Sequence, residues 1–162
     1  PTYAVIEEGH TVIIDVGARV DGYHSDMTRT FVIGRPTPLQ HELYELVLAA
    51  QQAGVAAVAA GLSTKQLDAV CRDIITEGGY GDWFTHGTGH GVGLLIHEDP
   101  FVNRAGDAIL QVGDVVTVEP GVYREGFGGI RVEDLVVVTS EGCRVLTASP
   151  KESPCPPFPP TI

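Results

Sequence analysis

Apolar and β-branched residues cluster from Thr11 to Val16 and again from Thr30 to Ile33. Between them lies a polar stretch with Asp21-Gly22, a dipeptide suited to tight hairpin turns. This pattern predicts a β-hairpin. The period then lengthens. Thr37 is a candidate N-cap with Pro38 at the first helical position, and Leu39, Leu43, Leu46, Val47 and later alanines keep helical spacing up to Gly61. A second helix starts at once, because Ser63 and Gln66 make a capping box. Its apolar face is Leu67, Val70, Ile74 and Ile75, and it ends at Gly78-Gly79. From Phe84 the spacing predicts glycine-rich strands over 84–97, 115–124 and 129–138. A hairpin, two helices and then strands is the order of an α+β domain, with helices covering one face of a mainly antiparallel sheet. Pro154 to Pro160 holds five prolines in seven residues and predicts an extended appendage. The expected division is a domain over 1–152 and a Pro-rich tail over 153–162.

With 162 residues, 43% of them hydrophobic, the chain can build one core. Twenty-one acidic residues against 10 Lys+Arg give a formal charge of −11, which repels phosphate backbones and anionic lipid. Nucleic-acid and membrane partners are therefore not expected. No apolar stretch approaches the ~20 residues of a membrane span. No charged segment followed by an apolar one opens the chain, and the expected location is cytoplasmic. Cys71, Cys143 and Cys155 are odd in number and form no CxxC pair, so they read as free thiols. Pro1 leads almost directly into a strand pattern, suggesting that the chain starts inside a larger domain.

Two carboxylate pairs change the picture. Asp15 and Asp26 lie in IDVGARVDGYHSDMTRTF among residues that ought to face a core, and their midpoint falls at the predicted turn. A hairpin there places them opposite or diagonal, with Cβ atoms roughly 5–8 Å apart. Direct opposition needs a bulge or a longer loop. Glu119 and Glu133 repeat the arrangement about Gly126, in the loop between VVTVEPGVY and GIRVEDLVVV. Four carboxylates meeting in a dry site would repel one another and take up protons unless positive charge were supplied. The economical explanation is a pair of divalent cations.

Between the pairs runs HGTGHGVGLLIHEDP, whose glycines argue against helix. An extended strand would put His86 and His90 on one face, near the metals, with close backbone approach at the glycines, while His97 needs a bend to join them. Arg29 reads as an ion-pair partner holding those carboxylates. Arg131, on Glu133's strand face, reads equally as such a partner or as a substrate group. Glu42, Glu45, Glu98 and Asp99 read as solvated charges.

These strings, together with VTVEPGVY and GGIRVEDLVVV, resemble in sequence and order the pita-bread-fold metallopeptidases, in particular Xaa-Pro aminopeptidases and Xaa-Pro dipeptidases, from about Glu8 to Glu152. The resemblance implies a hydrolase cleaving the bond between an N-terminal residue and a following proline. It implies Asp15, Asp26, His90, Glu119 and Glu133 as ligands of two metal ions, with Asp26 and Glu133 bridging. Glu119 would also act as general base, His97 would serve the scissile amide, His86 would line the substrate pocket and Arg131 would orient a neighbouring catalytic group. Four carboxylates to one imidazole favour manganese, with cobalt or zinc as alternatives.

The resemblance also implies a homodimer. Family members carry an earlier half of the catalytic domain, so this chain is expected to be truncated at its N-terminal side and to expose apolar surface. Two other readings are a methionine-aminopeptidase-like specificity, which shares the ligand set, and a catalytically silent peptide- or protein-binding module on the same fold. A metal-independent hydrolase of creatine-like substrates would not need four carboxylates.

Overall fold

A computed structural model of the protein describes Tyr3 and residues 5–155. The predicted hairpin forms as β1 (Thr11–Val16), a short ribbon of β2 (Arg19–Val20) and β3 (Tyr23–His24), and β4 (Met27–Val32). At its tip Asp21 and Gly22 both take positive φ, 52° and 92°, as a tight hairpin turn requires. Strands β1 and β4 pair antiparallel from Thr11 opposite Val32 to Val16 opposite Met27.

Helix α1 (Pro38–Ala57) starts where Thr37 predicts, and Gln40 closes a capping box with it: Thr37 Oγ1 accepts from the Gln40 amide at 3.2 Å. It stops short of the expected Gly61. The backbone beyond Val58 turns to another partner, the Gly61 amide donating to the Leu110 carbonyl at 2.8 Å and Ser63 bridging Ile109. Helix α2 (Thr64–Glu77) follows, with the Ser63–Gln66 box in place and Gly79 at φ 89° beyond its end.

The second half is sheet, but its strands are shorter than predicted. They are β5 (Gly89–Gly91), β6 (Glu98–Val102), β7 (Val115–Val118), β8 (Gly121–Arg124), β9 (Gly128–Arg131), β10 (Asp134–Thr139) and β11 (Gly142–Val145). The expected strand over 84–97 reduces to the three residues of β5, followed by bends over 93–97. The runs 115–124 and 129–138 are each interrupted, at Glu119-Pro120 and at Val132-Glu133. Pro120 has no N–H for a ladder. Strands β11-β10-β7-β5-β6, in that order, form an antiparallel sheet, while β8 and β9 leave it as a separate ribbon.

Both helices pack on this sheet, with Leu43, Val47, Leu67 and Ile75 against Val116, Val118 and Val136, all fully buried. Each such side chain contributes about 1.5–3 kcal/mol. The helices touch where Gly54 leaves room, since a Cβ there would lie 2.5 Å from Cys71 Sγ of α2 and 2.8 Å from Val118 Cγ1 of the sheet. Among the described residues no helix is long and apolar enough to cross a membrane. The start of the predicted appendage is not detached: Pro154 is buried and its carbonyl accepts from the Val32 amide at 2.9 Å. The rest of the tail, 156–162, lies outside the described residues. Apolar side chains are exposed at Ile14, Val16, Val20, Tyr23, Leu94 and Leu95.

Candidate metal centre

The first hairpin sets Asp15 opposite Thr28, and Asp26 lies one step beyond the Val16–Met27 pair. Asp15 and Asp26 are thus diagonal neighbours, not directly opposed. In the second, Val118 pairs with Asp134 on one side of the interruption and Gly121 with Arg131 on the other. The two pairings keep one register, so Glu119 falls opposite Glu133. Strand β5 threads between β6 and β7, where a Cβ on Gly89 would meet the Thr117 carbonyl carbon at 2.8 Å. The bends after β5 return His97 to His90, their rings edge-on with centroids 4.3 Å apart.

These elements bring the expected ligands together. One ligand atom each from Asp15, Asp26 and Glu133 lies within 4.8 Å of the others; the same holds for His90, Glu119 and Glu133, and for Asp26, His90 and His97. His90 Nε2 is 3.1 Å from Glu119 and 3.7 Å from Asp26. Its Nδ1 donates to the Gly91 carbonyl at 3.0 Å, so Nε2 is the nitrogen turned to the carboxylates: protonated it donates to Glu119, and deprotonated it would present its lone pair to a metal ion.

Hydroxyls steer the carboxylates. Thr28 Oγ1 donates to Glu133 at 2.5 Å, and Thr117 Oγ1 donates to Glu119 at 3.0 Å. Arg131 pairs with Asp15, lies 3.7 Å from Glu119, and donates to Thr28 Oγ1 at 3.1 Å and to the Tyr123 hydroxyl at 2.9 Å. With Arg131 donating to it, Tyr123 gives its own proton to His86 Nε2 at 3.2 Å, and His86 Nδ1 donates to the Gly87 carbonyl at 2.7 Å.

The electrostatics call for positive charge. Glu133 is 1% exposed, and its carboxyl is pushed up to about 8, first by burial and then by Glu119. Asp26 is raised by burial and by Asp15. Burial pushes Glu119 up as well, but hydrogen bonds from His90 and Thr117 outweigh it and the net shift is downward. For His90 the same competition runs the other way: burial lowers it, and Glu119, Gly91 and Asp26 raise it overall. His86 is held down by burial. Arg131 alone leaves this acid-rich set short of cations. Four oxygen donors and one inward imidazole nitrogen fit a divalent metal.

One expected contact does not form. Arg29 does not reach the four carboxylates; it pairs with buried Asp134 at 2.8 Å and donates to the carbonyls of Thr28 and Glu133. Asp134 follows Glu133 and opens the apolar run Leu135–Val138, and an acid at the head of such a buried strand signals a cation partner. Thr28, Thr117 and Tyr123 carry no comparable sequence signal. Asp15, His86, His90, His97, Glu119 and Arg131, with Phe101 and Asn103, line a cavity of about 350 Å³. A larger one, about 510 Å³, opens beside it past His86, Gly87 and Asn103.

The sequence profile of metallopeptidase family M24 matches residues 1–140. The chain belongs to this family. An Xaa-Pro dipeptidase of Pyrococcus furiosus is 48% identical over 147 residues, covering 91% of this chain and 42% of the relative. The solved prolidase of Pyrococcus horikoshii superposes with a TM-score of 0.92 at 44% identity, over 93% of this chain and 44% of that one. An X-Pro aminopeptidase of Thermotoga maritima gives 0.90 at 42% identity, over 93% and 43%. The fold is the α+β pita-bread fold expected from sequence, present here in part. This M24 chain spans about two fifths of the length of the curated relatives it matches.

Proposed function

We propose that this M24 chain carries the metal centre of an exopeptidase that hydrolyses the bond between an N-terminal residue and a following proline. The single observation that carries the reading is the convergence of Asp15, Asp26, His90, Glu119 and Glu133, from two hairpins and one glycine-rich strand, into one small volume. Asp15, Asp26 and Glu133 would hold one ion and His90, Glu119 and Glu133 the other; Glu133 belongs to both groups and Asp26 sits beside His90. The oxygen-rich set favours manganese over cobalt or zinc. When bound, such a pair supplies Lewis acidity for the scissile carbonyl and lowers the pKa of water.

The chain's own groups do the rest. Glu119, held ionised by His90 and Thr117, takes the proton of the attacking water. His97, against His90 at the rim, donates toward the departing amine or holds the scissile amide. Neutral His86, fixed by Tyr123 and Gly87, lines the cavity where the substrate lies. Arg131 fixes Asp15 and Glu119. The relatives' names support proline-directed specificity over a methionine-aminopeptidase-like one, and the complete donor set speaks against a silent binding module. A homodimer is proposed on resemblance alone.

The test is Mn²⁺- or Co²⁺-dependent release of the first residue from Xaa-Pro peptides. Glu119→Gln is expected to lower kcat by about 10²–10⁴-fold, the usual share of a general base. Cleavage that survives a chelator, or that Glu119→Gln leaves intact, overturns the proposal.

A further inference from the structure

Glu133 is gripped at its main chain as well as at its carboxylate. Arg29 donates to the carbonyls of Glu133 and, at 2.9 Å, Thr28, which is the residue whose hydroxyl holds the Glu133 carboxylate. The other donors of Arg29 go to Asp134 at 2.8 Å, to the Ser149 carbonyl at 2.8 Å and to the Pro150 carbonyl at 3.0 Å, so its guanidinium has no donor left over. The second oxygen of Asp134 accepts from Gln51 at 3.0 Å and pairs with Lys151. Lys151 also donates to Gln51 at 2.7 Å, and its carbonyl accepts from the Tyr44 hydroxyl at 2.9 Å. The segment reaches this point along β10, the Leu146 amide bonding Leu135 at 2.8 Å and Thr147 Oγ1 accepting from the Leu135 amide at 2.9 Å.

We infer that this strap, Leu146–Lys151, is a positioning device for the metal centre, in which Lys151 is a positioning residue for Glu133. The inference rests on the metal reading above. A buried ion pair contributes little net stability, since apolar groups of the same volume often do as well. Two cations on one carboxylate, next in sequence to a ligand, therefore call for another reason. They fix the Glu133 main chain from outside, as hydrogen bonds to ligating carboxylates do in metal sites generally. Without Lys151, Asp134 turns toward Arg29 and Gln51 alone, and the guanidinium that spans Thr28, Glu133 and the strap loses its fixed anchor.

The experiment is a Mn²⁺ titration of the full chain followed by the paramagnetic resonance signal of the free ion. Lys151→Met is expected to weaken binding about 10-fold and to alter the spectrum of bound Mn²⁺. Lys151→Arg, which keeps the charge on Asp134, is expected to bind within about two-fold of the wild type. Ile75→Val, which loosens the core away from the strap, should bind unchanged, separating positioning from general loss of stability. If Lys151→Met fails to fold, Lys151→Gln is titrated instead and must show the same weakening. Wild-type protein that takes up no stoichiometric Mn²⁺ overturns the metal reading, and the strap inference with it. Wild-type protein that binds, beside a Lys151 variant that binds equally well with the same spectrum, overturns the strap inference alone.

Discussion

On the proposed assignment, proton and metal compete for Glu133. With burial and Glu119 pushing its carboxyl up to about 8, the metal-free folded chain keeps a proton there that the unfolded chain has released. The slope of stability with pH follows protons bound unfolded minus protons bound folded. It is negative between the ordinary carboxylate range and about pH 8, so the stabilisation is present at low pH and lost as pH rises. The upward shifts of Asp26 and His90 add in the same direction, while the lowered His86 opposes them near the ordinary histidine value, one group against three. In a chelator, urea unfolding at pH 5, 6.5 and 8 is therefore expected to give falling stability. Glu133→Gln should flatten that slope in part, and saturating Mn²⁺ should remove the Glu133 contribution by displacing the proton. Stability that climbs from pH 5 to 8 in the chelator contradicts the assignment.

The four carboxylates and the histidine strand stand out in the sequence because acids and imidazoles fall there in or beside apolar, β-branched or glycine-rich runs, where charge needs a reason; the family resemblance narrows them to five expected ligands. The groups that aim them could not. A threonine in a strand looks the same whether or not its hydroxyl meets Glu133, and only the approach of β4 to the 131–133 segment, where the Glu133 amide donates to the Thr28 carbonyl at 3.2 Å, puts Thr28 there. Arg29 was misplaced for a related reason: the hairpin fixes its strand position, but its partner Asp134 lies 105 residues away in sequence.

At the scale of elements, helix α2 holds the histidine loop through one buried ion pair. Asp68 takes Arg72 in a two-pronged contact at 2.7 and 2.9 Å and accepts from the Thr88 amide at 3.0 Å. Arg72 donates onward to the carbonyls of Phe84 at 3.0 Å and His86 at 2.7 Å. Arg72→Met leaves Asp68 charged and buried and is expected to cost about 3–5 kcal/mol. The double variant Arg72→Met/Asp68→Leu is expected to recover part of that loss, because the uncompensated charge goes with it. Chemical unfolding measures both, and a double variant no better than the single one refutes the account.

The helix starts follow the sequence closely because capping boxes at Thr37 and Ser63 are local signals, complete within four residues. The strands do not, because their ends depend on partners. β5 is short where Gly89 and Gly91 are squeezed between two neighbours, and the run 115–124 breaks where Pro120 sends the chain into a second ribbon.

Over the whole molecule, 21 acidic side chains face 10 Lys+Arg, so compaction works against a charge of −11. Any cation relieves that repulsion somewhat, and a gain in stability on adding metal does not by itself reveal a site. Screening and site binding differ in scale and in kind. Monovalent salt shortens the Debye length to about 8 Å at 0.15 M and acts on all exposed charges alike. An ion held by Glu133 and Asp26, both buried, stabilises by mass action, about 2.7 kcal/mol at a hundredfold excess over Kd. For a chain of this size that corresponds to a rise in Tm of about 5–10 °C. Mn²⁺ at a hundredfold excess over its Kd is therefore expected to raise Tm by this amount in a background of 0.15 M NaCl, and the same concentration of added NaCl should do nothing. Asp26→Asn should lose most of the rise while keeping its response to bulk salt. If Asp26→Asn gains as much from Mn²⁺ as the wild type does, the ions act on the acidic surface and the buried carboxylates are not what holds them.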